Sequence, residues 1–129
     1  MKKIITLLVF VLLLAGVTAC GTPSTTQQTG SSTTYLEIHT SSGAFVPSTV
    51  TIEKGQSLTL VNDSVVLHPI QNGTWEGSTA KAIQEAGAPT VKVQLSSNDR
   101  QSIGPFTTVG TYQLHCTIHP GMNLTVRVQ

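Results

Sequence analysis

"GTYQLHCTIHPGM", residues 110–122, decides how this chain is read. Its first half alternates. Counting back from Cys116 in steps of two gives Leu114 and Tyr112, so a strand here turns Cys116 inward beside an aliphatic and an aromatic neighbour and turns His115 the other way. Its second half cannot continue the strand, because Pro120 and Gly121 shape a loop that curls His119 and Met122 back toward the thiol. The outcome is a Cys-x-x-His-x-x-Met segment at a strand end.

Outward from that segment, period-two patterning recurs. Leu36 and Ile38 share a face in "YLEIHT", Val50 and Ile52 in "TVTIEK", Leu58 and Leu60 in "SLTLVN", and Leu124, Val126 and Val128 in "NLTVRVQ"; "PTVKVQL" supplies one more strand. Glu53-Lys54-Gly55-Gln56 reads as a hairpin connection and "SSND", residues 96–99, as another turn. Residues 72–89 break the alternation and predict a long connection with two helical turns over Ser78 to Ala86. Short strands at this spacing predict an all-β fold, an antiparallel Greek-key β-sandwich spanning residues 35–129.

The preceding residues have a different character. Lys2 and Lys3, an apolar run from Ile4 to Ala15 and the small residues before Cys20 have the layout of a secretory signal, and the run is shorter than the ~20 residues of a membrane span. Val17-Thr18-Ala19-Cys20 resembles the bacterial lipobox, which implies a lipoprotein signal peptide over 1–19 and a lipidated Cys20 anchoring the chain to an extracytoplasmic membrane surface. Residues 20–34, rich in Ser, Thr and Gln and without charge, cannot bury enough surface to order themselves and predict a flexible linker.

A domain of 95 residues buries only roughly 60–65% of the surface its unfolded chain exposes, and such domains are often stapled. A disulfide is not open to this one, because the second cysteine is Cys20, so a metal is the natural substitute. Net charge excludes little. Without Lys2 and Lys3 the chain has five basic side chains against six acidic ones, with no basic patch for nucleic acid.

A thiolate, an imidazole and a thioether together suit copper better than the hard, oxygen-seeking cations. One more imidazole would complete a trigonal His-His-Cys set with a weak axial methionine, and His68, closing the apolar run of "VVLHPI", supplies it. His39 reads as an exposed strand residue without partners, and Trp75 and Glu76 receive no role.

At this point the chain resembles the small blue-copper proteins, the cupredoxins of the plastocyanin, pseudoazurin and amicyanin group. The resemblance runs over nearly all of residues 35–129: "FVPSTVTIEKGQSLTLVND" looks like the family's Phe-x-Pro, Lys-Gly turn and Asn-ending strand, His68 follows, and "GTYQLHCTIHPGM" looks like its Cys, His, Met ending, the loop length being most similar to amicyanin's. It implies one type 1 copper held by His68, Cys116 and His119, with Met122 as the long axial contact. It implies an electron carrier cycling between Cu(II) and Cu(I), with transient redox partners docking near His119, and a monomer. No enzyme is expected, since the strong ligand positions are filled. Two other functions use the same residues differently: copper buffering or delivery, and a metal-free interaction module. Two positions depart from the family pattern. Pro69 stands where an asparagine often braces the cysteine loop, so bracing must come from elsewhere, and His115 stands where a tyrosine often faces outward.

Overall fold

The computed structural model describes residues 36–129. The expected signal peptide, the lipidated Cys20 and the linker lie outside the described residues. Eleven short strands build the domain, and no helix occurs among the described residues. One sheet contains β1 (Leu36–Thr40), β2 (Phe45–Val46), β4 (Leu58–Asn62) and β9 (Arg100–Ile103) in the order β2-β1-β4-β9. The other contains β3 (Thr49–Ile52), β5 (His68–Asn72), β8 (Lys92–Leu95), β10 (Gly110–Cys116) and β11 (Asn123–Val128) in the order β3-β11-β10-β5-β8. β6 (Thr74–Glu76) and β7 (Thr79–Lys81) form a separate hairpin.

The sandwich is all-β, as the alternation predicts, because each main strand has one apolar face to bury. Leu114 and Tyr112 of β10 turn inward with Leu124 of β11, meeting Ile38, Leu60 and Phe106 in one buried cluster. Most pairings are antiparallel, but β1 runs parallel to β4 and β11 parallel to β3. The Glu53–Gln56 turn explains the first difference. It forms, with Gln56 N–H donating to Glu53 C=O at 3.1 Å, yet it carries the chain from one sheet to the other instead of closing a hairpin.

One other expectation is corrected. No helix forms over Ser78 to Ala86, where a helix so short has little stability of its own. Gly77, at φ +60°, turns the chain instead and pairs β6 with β7, with Glu76 and Lys81 ion-paired beside it. The apolar run before His68 is not buried: Val65 (89% exposed) and Leu67 (40%) lie in a loop after β4, and His68 opens β5.

The ends of β1, β4 and β10 and the start of β5 meet at one end of the sandwich. Asn62, the last residue of β4, is the knot there: its amide nitrogen donates to the carbonyls of Val66 (2.7 Å), Leu95 (3.1 Å) and Ser96 (3.0 Å), and its oxygen accepts from Thr40 Oγ1 (3.2 Å). A buried side-chain amide with all these partners ties three loops around the future site.

Candidate metal centre

Cys116 ends β10 and is fully buried, as the step-of-two count from Tyr112 requires. Beyond it, His119-Pro120-Gly121-Met122 closes a turn in which Met122 N–H donates to His119 C=O at 3.1 Å, with proline second and glycine third at φ +79°. That is the signature of a type II turn, and it explains how two loop residues fold back over the strand end. Cys116 N–H then donates to Met122 C=O at 3.1 Å, closing the segment on itself.

The donor atoms of His68, Cys116 and His119 lie within 4.8 Å of one another. His119 Nδ1 is 3.2 Å from Cys116 Sγ and His68 Nδ1 is 3.7 Å from it, with the two imidazole ring centres 4.8 Å apart. Both rings thus present the same nitrogen to the sulfur. For His68 a neighbour fixes which nitrogen is free. Ser64 Oγ donates to Asn62 Oδ1 at 2.8 Å and so accepts from His68 Nε2–H at 3.2 Å, which leaves the Nδ1 lone pair facing the thiol. Met122, the fourth residue of the expected set, is buried in the same core cluster as Cys116.

The electrostatics suit a cation. Burial, and then the neighbouring His119, hold His68 below the usual histidine range, so its ring stays neutral with a lone pair to give. Burial pushes the Cys116 thiol up, countered in part by hydrogen bonds from the backbone of Ile118 and His119. A thiolate at this depth therefore needs a positive charge beside it, which a soft metal ion supplies as it displaces the proton. Two imidazoles and a thiolate gathered within 4.8 Å fit copper.

Three residues mattered that sequence reading passed over. His115 does face away from Cys116, but onto no open surface: it is fully buried under the β6–β7 hairpin, edge-on to Trp75 at 6.1 Å, and neither ring nitrogen has a hydrogen-bonding partner. Trp75 Nε1–H donates to the Cys116 carbonyl at 2.7 Å, so the residue assigned no role touches the centre's anchor strand. His39, too, has partners, Nδ1 lying 2.6 Å from Asp63 Oδ2, and Glu37 beside it pairs with Arg100; this cluster is on the exposed face of β1. Pro69, lacking an N–H, contributes its carbonyl, which accepts from Thr117 N–H at 2.9 Å.

Burial of His68 and His115 sets a pH dependence for the metal-free protein. Burial holds both below their unfolded value of 6.5, so below about pH 6.5 the unfolded chain binds protons that the folded one refuses, and stability falls with pH. Above that pH both forms are neutral and the contribution is complete. The urea midpoint of the metal-free protein is accordingly expected to drop between pH 7.5 and pH 5.5; a midpoint that holds or rises would contradict the buried neutral rings.

A β-sandwich that gathers two imidazoles and a lone thiol at one end defines a mononuclear soft-metal protein. Relatives agree on which metal. The model of the "copper binding proteins, plastocyanin/azurin family" matches residues 32–129. Plastocyanin of Ulva prolifera is 31% identical over 88 residues, 67% of this chain and 87% of that protein. The chain therefore belongs to the plastocyanin/azurin family of copper-binding proteins, and its cofactor is copper. Among solved structures, reduced amicyanin carrying a tryptophan-to-tyrosine change superposes with a TM-score of 0.56 at 22% identity, covering 74% of this chain and 82% of that one. A copper-containing nitrite reductase of Thermus scotoductus does so with 0.56 at 24% identity, covering 74% of this chain but only 22% of the reductase. These likenesses concern the fold.

Proposed function

We propose that this protein is an extracytoplasmic blue-copper electron carrier, with His68, Cys116 and His119 as the three strong ligands and Met122 as the axial contact. One observation carries the reading: two imidazole nitrogens and one buried sulfur converge within 4.8 Å at the end of a rigid sandwich. Copper supplies a one-electron Cu(II)/Cu(I) couple. The chain supplies constancy. Cys116 and His68 are fixed by the ladders of β10 and β5, His68 is oriented through Ser64 and Asn62, and the type II turn sets His119. Ligands held this firmly change little with the ion's charge, which suits electron transfer.

Partners would dock where His119, half-buried, comes toward the surface. Exposed Val65 and Leu67 on the loop before His68 and Ile118 beside His119 offer an apolar face for a transient contact. The reading does not make the chain an enzyme on its own, since four ligands leave no strong position open; the nitrite reductase is a much longer chain. Support for an extracytoplasmic place comes from the relatives and from the signal-like residues 1–19, with lipidation at Cys20 tethering the domain through residues 20–34.

Loading the purified protein with Cu(II) tests the proposal. An intense visible thiolate-to-copper band that bleaches with ascorbate and returns on reoxidation is expected, together with electron self-exchange much faster than copper release. A colourless complex, or one that gives up copper faster than it exchanges electrons, would replace the carrier with a copper-delivery protein.

A further inference from the structure

We propose that Trp75 is a positioning residue for the copper-ligand loop, gripping both ends of the Cys116–Met122 segment from outside it. This rests on the ligand set proposed above. At one end, Trp75 Nε1–H donates to the Cys116 carbonyl at 2.7 Å. At the other, Asn123, the residue directly after Met122, holds the backbone of Trp75 at two points: its Oδ1 accepts from Trp75 N–H at 2.8 Å and its Nδ2–H donates to Trp75 C=O at 3.1 Å. The chain from Cys116 through the indole, the Trp75 backbone and the Asn123 side chain to Met122 is a closed ring. It fixes the distance between the two ends of a loop that carries three of the four ligands.

The hairpin exists in a form that makes this grip possible. Gly73 N–H donates to Gln113 C=O at 2.9 Å, seating the start of the hairpin on β10, and the indole packs perpendicular to the buried His115 ring, their centres 6.1 Å apart. So β6 is anchored to the sheet on one side of Trp75 and to β11 through Asn123 on the other. The bracing that Pro69 cannot give through a backbone donor is supplied here, through the Cys116 carbonyl. Each hydrogen bond is modest alone, but members of one ring stiffen a loop together, and breaking any member releases the whole.

Hydrogen exchange of the metal-free protein reads the ring directly. Trp75→Phe keeps the aromatic contact with His115 and removes the indole donor, and Asn123→Ala breaks the opposite corner while leaving Trp75 in place. Both are expected to lower the protection of the Cys116 and Met122 amides tenfold or more while leaving Ile38 and Leu60, in the other sheet, unchanged. The double variant should lose no more than the worse single one. In the copper-loaded protein the charge-transfer band should persist but shift. Copper release to a chelator should quicken about tenfold, and the potential should rise as the loosened loop relaxes around Cu(I). Equal loss of protection in both sheets, additive losses in the double variant, or an unchanged band and potential would each overturn the proposal. If Trp75→Phe does not fold, Asn123→Ala alone decides. A wild-type protein without the band would instead sink the ligand set, and the proposal with it, a result separable because it appears before any variant is made.

Discussion

Cys116→Ser is expected to abolish the visible band completely and to erase the gap in thermal stability between copper-loaded and metal-free protein. The argument has two parts. In the metal-free state the change is small in volume, and the thiol makes its contacts in a buried cluster, so a loss of about 1 kcal/mol is the scale for a mild core substitution. In the loaded state the loss is far larger, because the thiolate is the one anionic donor among the proposed ligands. Copper at a thousandfold over its dissociation constant stabilises a folded protein by about 4 kcal/mol, and each kcal/mol moves Tm by roughly 4–8 °C in a domain this size. Calorimetry with and without copper on both proteins measures this. A serine variant that keeps the copper-dependent rise in Tm would show that the ion is held elsewhere.

Gly73→Ala is expected to be strongly destabilising although it lies outside the proposed ligands, by roughly 3–5 kcal/mol. Gly73 stands at φ +126°, a backbone region that costs other residues about 1–3 kcal/mol. Geometry adds to that strain. A Cβ there would lie 2.1 Å from the Lys81 carbonyl oxygen and 3.0 Å from both the Ala82 Cα and His115 Cε1, and two of those three are backbone atoms that cannot rotate away. The hairpin must therefore lift, and Trp75 goes with it. Urea unfolding of the metal-free variant gives the magnitude. A loss under 1 kcal/mol would mean that the hairpin adjusts freely, and the grip on Cys116 would then be weak as well.

How legible these features were in the amino-acid sequence follows from the range of the interactions involved. The strand alternation of β10 and β11 and the Pro-Gly turn are local, so Cys116 inward and His119 and Met122 curling back could be read directly. His68 could be chosen because it stands in the apolar run "VVLHPI" that follows a strand, a local signal. What stayed hidden was decided at a distance. The parallel pairings of β1 with β4 and β3 with β11 leave no mark on either partner's own pattern. The Trp75 contact spans 41 residues, and no spacing rule connects an indole to a carbonyl that far away. His115 alternates outward as it should, but alternation says nothing about what lies over the other face, and the β6–β7 hairpin lies there. The helix expected near Ser78 failed for a related reason: Gly77 offers a tight turn, and pairing two three-residue strands outweighs a helix too short to nucleate.

The parallel pairing of β3 with β11 also bears on the order in which the molecule is built. It sets Val50 against Val126, and His68 meets Cys116 across 48 residues, so the full centre waits on contacts between remote parts of the chain, which form slowly. Cys116, His119 and Met122, by contrast, lie within seven consecutive residues. An unfolded chain can already offer a thiol, an imidazole and a thioether to Cu(I), and only the arrival of His68 with its strand gives the set a fixed shape. For the proposed ligand set, capture of the ion is thus open to a local segment early in folding, and its fixed geometry comes later, when β5 pairs with β10 in the same sheet.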